Sequence, residues 1–60
     1  MIIRIKDLQK FYECSYSTAV RYKKLILFVE NIKSGHLTIY HLANYEGLSV
    51  DVVLKKIVSR

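Results

Sequence analysis

The sequence has no proline or tryptophan, one cysteine and two glycines among its 60 residues. Hydrophobic residues make up 52% of the chain and charged residues 25%, so neither a disordered tail nor a low-complexity linker is expected. The longest apolar run, residues 25–29, is far short of the roughly 20 residues that cross a bilayer. These features predict one small folded domain over residues 1–60 and no membrane-spanning segment.

Cysteine and histidine are too few to indicate a catalytic or metal site. Cys14 cannot form an intramolecular disulfide, and small secreted domains usually have several, so we expect a reducing, cytoplasmic location. His36 and His41 have no cysteine partner at a zinc-ligand spacing. The sequence has no glycine-rich phosphate loop and no pair of carboxylates. It therefore predicts neither an enzyme nor a bound metal or cofactor.

Positive charge is in excess and unevenly distributed. Ten Lys and Arg residues against five Asp and Glu residues give a formal net charge of +5. Residues 1–34 carry seven of the basic and three of the acidic side chains, which is a net charge of +4. An anionic partner such as nucleic acid is therefore expected to contact the first half of the chain.

Apolar residues recur at helical spacing in four segments, which predicts an all-α fold of four short helices. The first two helices are expected near residues 5–12 and 17–30, with Ser15 as the N-cap of the second. Gly35 is expected to supply the left-handed geometry that ends a helix. The predicted inner faces are Ile5, Leu8, Phe11 and Tyr12; Ala19, Tyr22, Leu25, Ile26 and Val29; Ile39, Leu42, Ala43 and Tyr45, after a Thr38 cap; and Val50, Val53, Leu54, Ile57 and Val58, after a Ser49 cap.

A weak internal repeat relates the two halves of the chain. With an offset of 34 residues, Leu8 coincides with Leu42, and both halves have a serine before their second predicted helix. Each half therefore predicts a helix, a tight turn and a second helix, and the two pairs would share one core. The β-branched stretches 2–5 and 37–40 are brief and no hairpin turn joins them, so we do not expect them to form strands.

The stretch 7–21 resembles the helix-turn-helix of bacterial repressors, in particular those of the lac-repressor family, and the spacing matches without gaps. The resemblance implies that Leu8, Cys14 and Ala19 pack the two helices together. It also implies that Ser15 caps the second helix, as the sequence pattern already indicates.

The stretch 38–53 looks like the same motif, with Gly47 at the tight turn. In the first unit Glu13 stands at that position, so its backbone is expected to adopt a turn conformation that favours glycine. The second helix of the later unit begins with few hydrogen-bonding side chains. We therefore assign residues 1–30 to DNA reading and residues 37–60 to support or self-association.

The resemblance implies that the segment 15–24 enters the major groove of duplex DNA. A helix N-terminus favours phosphates, and the side chains of the first turns reach base edges. The planar guanidinium of Arg21 can pair with guanine, while lysines would contact phosphates. The predicted DNA-binding residues are Tyr16, Ser17, Thr18, Val20, Arg21, Lys23, Lys24, Lys6 and Lys10.

A module of this size buries little surface, so sequence-specific binding is expected to need a homodimer on two half-sites. The surface predicted for the second copy or another partner is Leu27, Phe28, Val52 and Val58. By analogy in size and motif, we expect a small transcriptional regulator or an excisionase-like accessory factor of a phage or mobile element. Two alternatives stay open: a helical adaptor or inhibitor that binds an acidic protein, and a virion or packaging protein that binds DNA without sequence preference.

Overall fold

The computed structural model describes residues 1–58. This part of the chain forms four helices, α1 (Ile5–Tyr12), α2 (Tyr16–Val29), α3 (Ile39–Glu46) and α4 (Val50–Val58), and two short strands, β1 (Ile2–Ile3) and β2 (Leu37–Thr38). The predicted four-helix, mostly helical fold is confirmed, with the second helix one residue earlier than expected. None of these helices is long and apolar enough to span a membrane.

The two strands correct the expectation that the β-branched stretches form no strands. β1 pairs antiparallel with β2, with Ile3 opposite Leu37, and both of these side chains are buried. The pairing continues into α3, where the Ile39 N–H donates to the Met1 carbonyl over 3.0 Å. A hairpin pattern cannot reveal this pairing, because two helices intervene and their packing brings the strands together.

The two halves repeat the same order of strand, helix, turn and helix, and their helices start at positions offset by 34 residues. The correspondence includes the turns: the Cys14 N–H donates to the Gln9 carbonyl, and the Leu48 N–H donates to the Ala43 carbonyl. The equivalent strands pair with each other, and the main helix contacts join both α1 and α3 to α2 and α4. Two units with the same order of elements therefore pack around one core.

Both tight turns depend on a residue in the left-handed backbone region. Glu13 adopts φ 52° and ψ 53°, as expected, and Gly47 adopts φ 69° at the equivalent position. The end of α2 differs from the prediction, because the left-handed residue after its last turn is Asn31, with φ 55°. Gly35 is also left-handed, with φ 79°, but it lies in the loop beyond the helix end and does not terminate the helix.

The core takes residues from every element. The buried hydrophobic residues are Ile3, Leu8, Phe11, Ala19, Ile26, Leu37, Ile39, Leu42, Ala43, Val53 and Ile57. Tyr12, Tyr22 and Tyr45 pack at the core margin. Four residues expected on inner faces are instead exposed: Leu25, Val29, Leu54 and Val58. Each short helix buries only a narrow strip, so the apolar residues beside that strip remain in solvent.

Candidate nucleic-acid interface

A short turn and close side-chain packing hold α2 against α1. Leu8 and Ala19 are fully buried between elements, and Cys14 is half-buried at the edge of the same core. The rings of Tyr12 and Tyr22 stack with centroids 3.9 Å apart and planes 5° from parallel. The packing positions that the resemblance implies for Leu8, Cys14 and Ala19 agree with this arrangement.

Ser15 caps the N-terminus of α2, as predicted. Its Oγ accepts a hydrogen bond from the Thr18 N–H over 3.4 Å and lies 3.1 Å from Thr18 Oγ1. Its carbonyl accepts from the Ala19 N–H over 2.9 Å. The Thr18 hydroxyl is therefore engaged in the cap and its side chain is half-buried, so it is less accessible than the exposed Ser17 beside it.

One face of α2 points away from the core and combines polar, cationic and aromatic side chains. At 3.6 residues per turn, Ser17, Arg21, Lys24 and Phe28 lie within about 60° of one another around the helix axis, opposite the buried strip. All four are exposed, and the exposed fraction of Phe28 is 83%. These four residues are called the outer stripe below.

The other predicted contact residues lie off the outer stripe. Val20 and Lys23 are half-buried on the flank of α2, so they do not extend its exposed face. Tyr16 is 64% exposed at the start of the helix. Lys6 and Lys10 are exposed on α1, one turn apart, and Lys10 lines an open groove at the end of that helix.

The surface predicted for a partner is only partly exposed. Leu27 is half-buried against the core, so it offers less surface to a partner than Phe28 does. Phe28 belongs to the outer stripe, whereas Val52 and Val58 are exposed on α4 and lie about 120° apart around its axis. Sequence reasoning missed Leu25, which is 46% exposed beside Phe28, because its position continues the apolar period of the core.

The second unit presents a different face at the place of α2. The counterparts of the three polar residues of the outer stripe are Asp51, Lys55 and Val58 on α4. The next lysine, Lys56, places its Nζ over the ring of Phe11, 5.5 Å from the centroid. At these three positions α4 therefore has one acid, one cation and one apolar residue, whereas α2 has a serine and two cations.

Tyr12 links the two units at equivalent positions. Its hydroxyl donates to Glu46 Oε2 over 2.5 Å, and the two residues are 34 apart in the chain. Burial and this hydrogen bond to a carboxylate raise the pKa of Tyr12 well above its usual range. Because Tyr12 also stacks on Tyr22, it fixes α2 relative to both α1 and α3.

Comparison with known proteins finds no matching family model, no similar curated protein and no similar solved structure. The candidate site consists of the outer stripe, the exposed Tyr16 at the start of α2, and the two lysines of α1, Lys6 and Lys10.

Proposed function

We propose that this protein binds duplex DNA with α2 lying lengthwise in the major groove. The observation that carries the proposal is the outer stripe, where Ser17, Arg21 and Lys24 face solvent together on a helix that follows a tight turn. The major groove, about 12 Å wide, admits an α-helix and exposes base edges to its side chains. The resemblance of stretch 7–21 to repressor helix-turn-helix motifs supports the same orientation.

The polar residues of the outer stripe and the two lysines of α1 have distinct roles in this proposal. Arg21 donates from its planar guanidinium to O6 and N7 of guanine, and Ser17 forms hydrogen bonds to a base edge or a phosphate near the helix start. Lys24 neutralises a phosphate, and Lys6 and Lys10 of α1 contact the DNA backbone beside the groove. Displacement of counterions by these cations makes the binding weaken as salt rises.

Sequence-specific binding is proposed to use two copies of the chain. A single recognition helix reads few base pairs, and helix-turn-helix dimers read half-sites about 34 Å apart. By analogy with such repressors, the role is that of a small transcriptional regulator or an excisionase-like accessory factor. Sedimentation equilibrium with a preferred duplex should give two copies per duplex, and one copy per duplex would contradict this stoichiometry.

Fluorescence anisotropy with a labelled mixed-sequence duplex at low and moderate salt tests the DNA binding. Lys24→Glu and Lys33→Glu are a matched pair, since both lysines are exposed and both substitutions change the net charge equally, while Lys33 lies in the loop after α2. Lys24→Glu should weaken binding and reduce its salt dependence, whereas Lys33→Glu should have little effect. Equal losses in both variants would mean that net charge, and not the outer stripe, drives binding.

The alternative partners give distinct results in the same assay. Equal affinity for all DNA sequences would favour a packaging function that grips DNA without reading it. If no binding occurs at low salt while circular dichroism shows a folded protein, duplex DNA is rejected and an acidic protein becomes the partner to test.

A further inference from the structure

We infer that Phe28 is a further DNA-contacting residue, which recognises the 5-methyl group of thymine in the major groove. The inference rests on the proposed DNA binding and adds one base feature to what α2 recognises. Phe28 is the one apolar residue of the outer stripe, and the hydrogen bonds proposed for Ser17, Arg21 and Lys24 leave it without a role.

The exposure of Phe28 is the first observation. Its side chain is 83% exposed, more than any other large hydrophobic residue in the described part of the chain. Water solvates an aromatic ring poorly, so a partner that covers the ring gains free energy in proportion to the apolar area removed from water.

The position of Phe28 is the second observation. Ser17, Arg21, Lys24 and Phe28 follow one another at intervals of four, three and four residues along one face of α2. From Ser17 to Phe28 the helix rises about 17 Å, so a helix lying lengthwise in the groove brings the whole stripe against one run of base pairs. A phosphate held by Lys24, one turn earlier, would keep the ring near the groove.

The surroundings of Phe28 favour DNA over a second copy of the chain. Leu25, Phe28 and Val29 are 46%, 83% and 53% exposed. Together they offer on the order of 300 Å², well under the ~800 Å² per partner of a stable interface. A twofold contact centred on the middle of the stripe would bring Arg21 and Lys24 of both copies together, and like charges would oppose it. A twofold contact centred on Phe28 would be limited to this small apolar area. An anionic partner fits the ring and its neighbouring cations at once.

Thymine carries the apolar group that a phenyl ring meets in the major groove. Every other distinguishing feature of the base edges there is a hydrogen-bond donor or acceptor, which a phenylalanine side chain cannot satisfy. Phe28 is therefore expected to favour thymine at one position of the bound sequence.

Replacing thymine by uracil removes this methyl group without changing base pairing, which gives a direct test. An alternating A·T duplex presents methyl groups in every register, and the same duplex with uracil presents none. The wild-type protein should bind the uracil duplex about fourfold more weakly, the effect of losing one buried methyl group. Phe28→Ala should bind both duplexes equally, whereas Tyr40→Ala, which removes another exposed aromatic ring on α3, should keep the wild-type preference.

The outcomes separate this inference from the proposal on which it rests. Equal wild-type binding to both duplexes overturns the methyl contact and leaves DNA binding intact. A Phe28→Ala variant that keeps the thymine preference also overturns it, and if sedimentation then shows that this variant has lost self-association, the ring belongs to a contact between copies. No binding at low salt to these two duplexes or to the mixed-sequence duplex rejects the proposed function itself.

Discussion

Replacing Gly47 by alanine should destabilise the protein by about 1 kcal/mol. Gly47 ends α3 in the left-handed region, with φ 69° and ψ 31°. This conformation allows the Leu48 N–H to donate to the Ala43 carbonyl over 2.9 Å. A Cβ added at Gly47 would meet no atom within 4 Å. The cost of the substitution therefore comes from backbone conformation and not from a clash.

The magnitude follows from two opposing contributions. An L-residue in the left-handed region costs about 1–2 kcal/mol. Loss of the glycine also restricts the unfolded chain, which offsets about 0.4–1 kcal/mol of that cost. A net loss near 1 kcal/mol lowers the melting temperature of a domain of this size by about 4–8 °C. Gly47→Asn should cost less, because asparagine visits the left-handed region more readily than alanine.

Urea and thermal unfolding followed by circular dichroism measure this effect. The expected order of stability is wild type, then Gly47→Asn, then Gly47→Ala. If Gly47→Ala unfolds at the wild-type midpoint, or if Gly47→Asn is the least stable of the three, backbone conformation does not determine the stability of this turn.

Tyr12→Phe should cost about 1 kcal/mol at neutral pH through loss of the hydrogen bond to Glu46, as measured by urea unfolding. The pKa of Tyr12 is raised in the folded protein, so above about pH 10 the unfolded chain loses the phenol proton while the folded protein keeps it. The free energy of unfolding of the wild type should therefore fall as pH rises above about 10. The variant should lose less stability over that range, and a steeper loss would refute this assignment. Ser15→Ala and Ser49→Ala each remove an N-cap acceptor and should each cost about 1 kcal/mol in thermal unfolding; an unchanged melting temperature would show that the cap is dispensable.

The local features of the fold were predictable from the sequence because they depend on neighbouring residues. Helical spacing of apolar residues located the four helices, and Ser15 identified the start of α2. The pairing of β1 with β2 was not predictable in this way, because it joins residues far apart in the chain. The hydrogen bond between Tyr12 and Glu46 is equally distant in sequence. These two residues are equivalent in the 34-residue repeat, but a repeat alone does not place equivalent residues in contact.

The candidate site was predictable in outline and not in detail. Helical periodicity put Ser17, Arg21 and Lys24 on a shared face, and the structure has them exposed together. The half-buried position of Lys23 and the exposure of Leu25 could not be read from the sequence, because hydrophobic periodicity does not fix how wide a strip each helix buries.

Mapping of backbone amide chemical shifts during titration with duplex DNA tests most directly whether the outer stripe faces DNA. The largest shifts are expected at Ser17, Arg21, Lys24 and Phe28, with small shifts along α4. Largest shifts on α4, or no shifts with DNA present at low salt, would contradict the assignment of α2 as the DNA-binding helix.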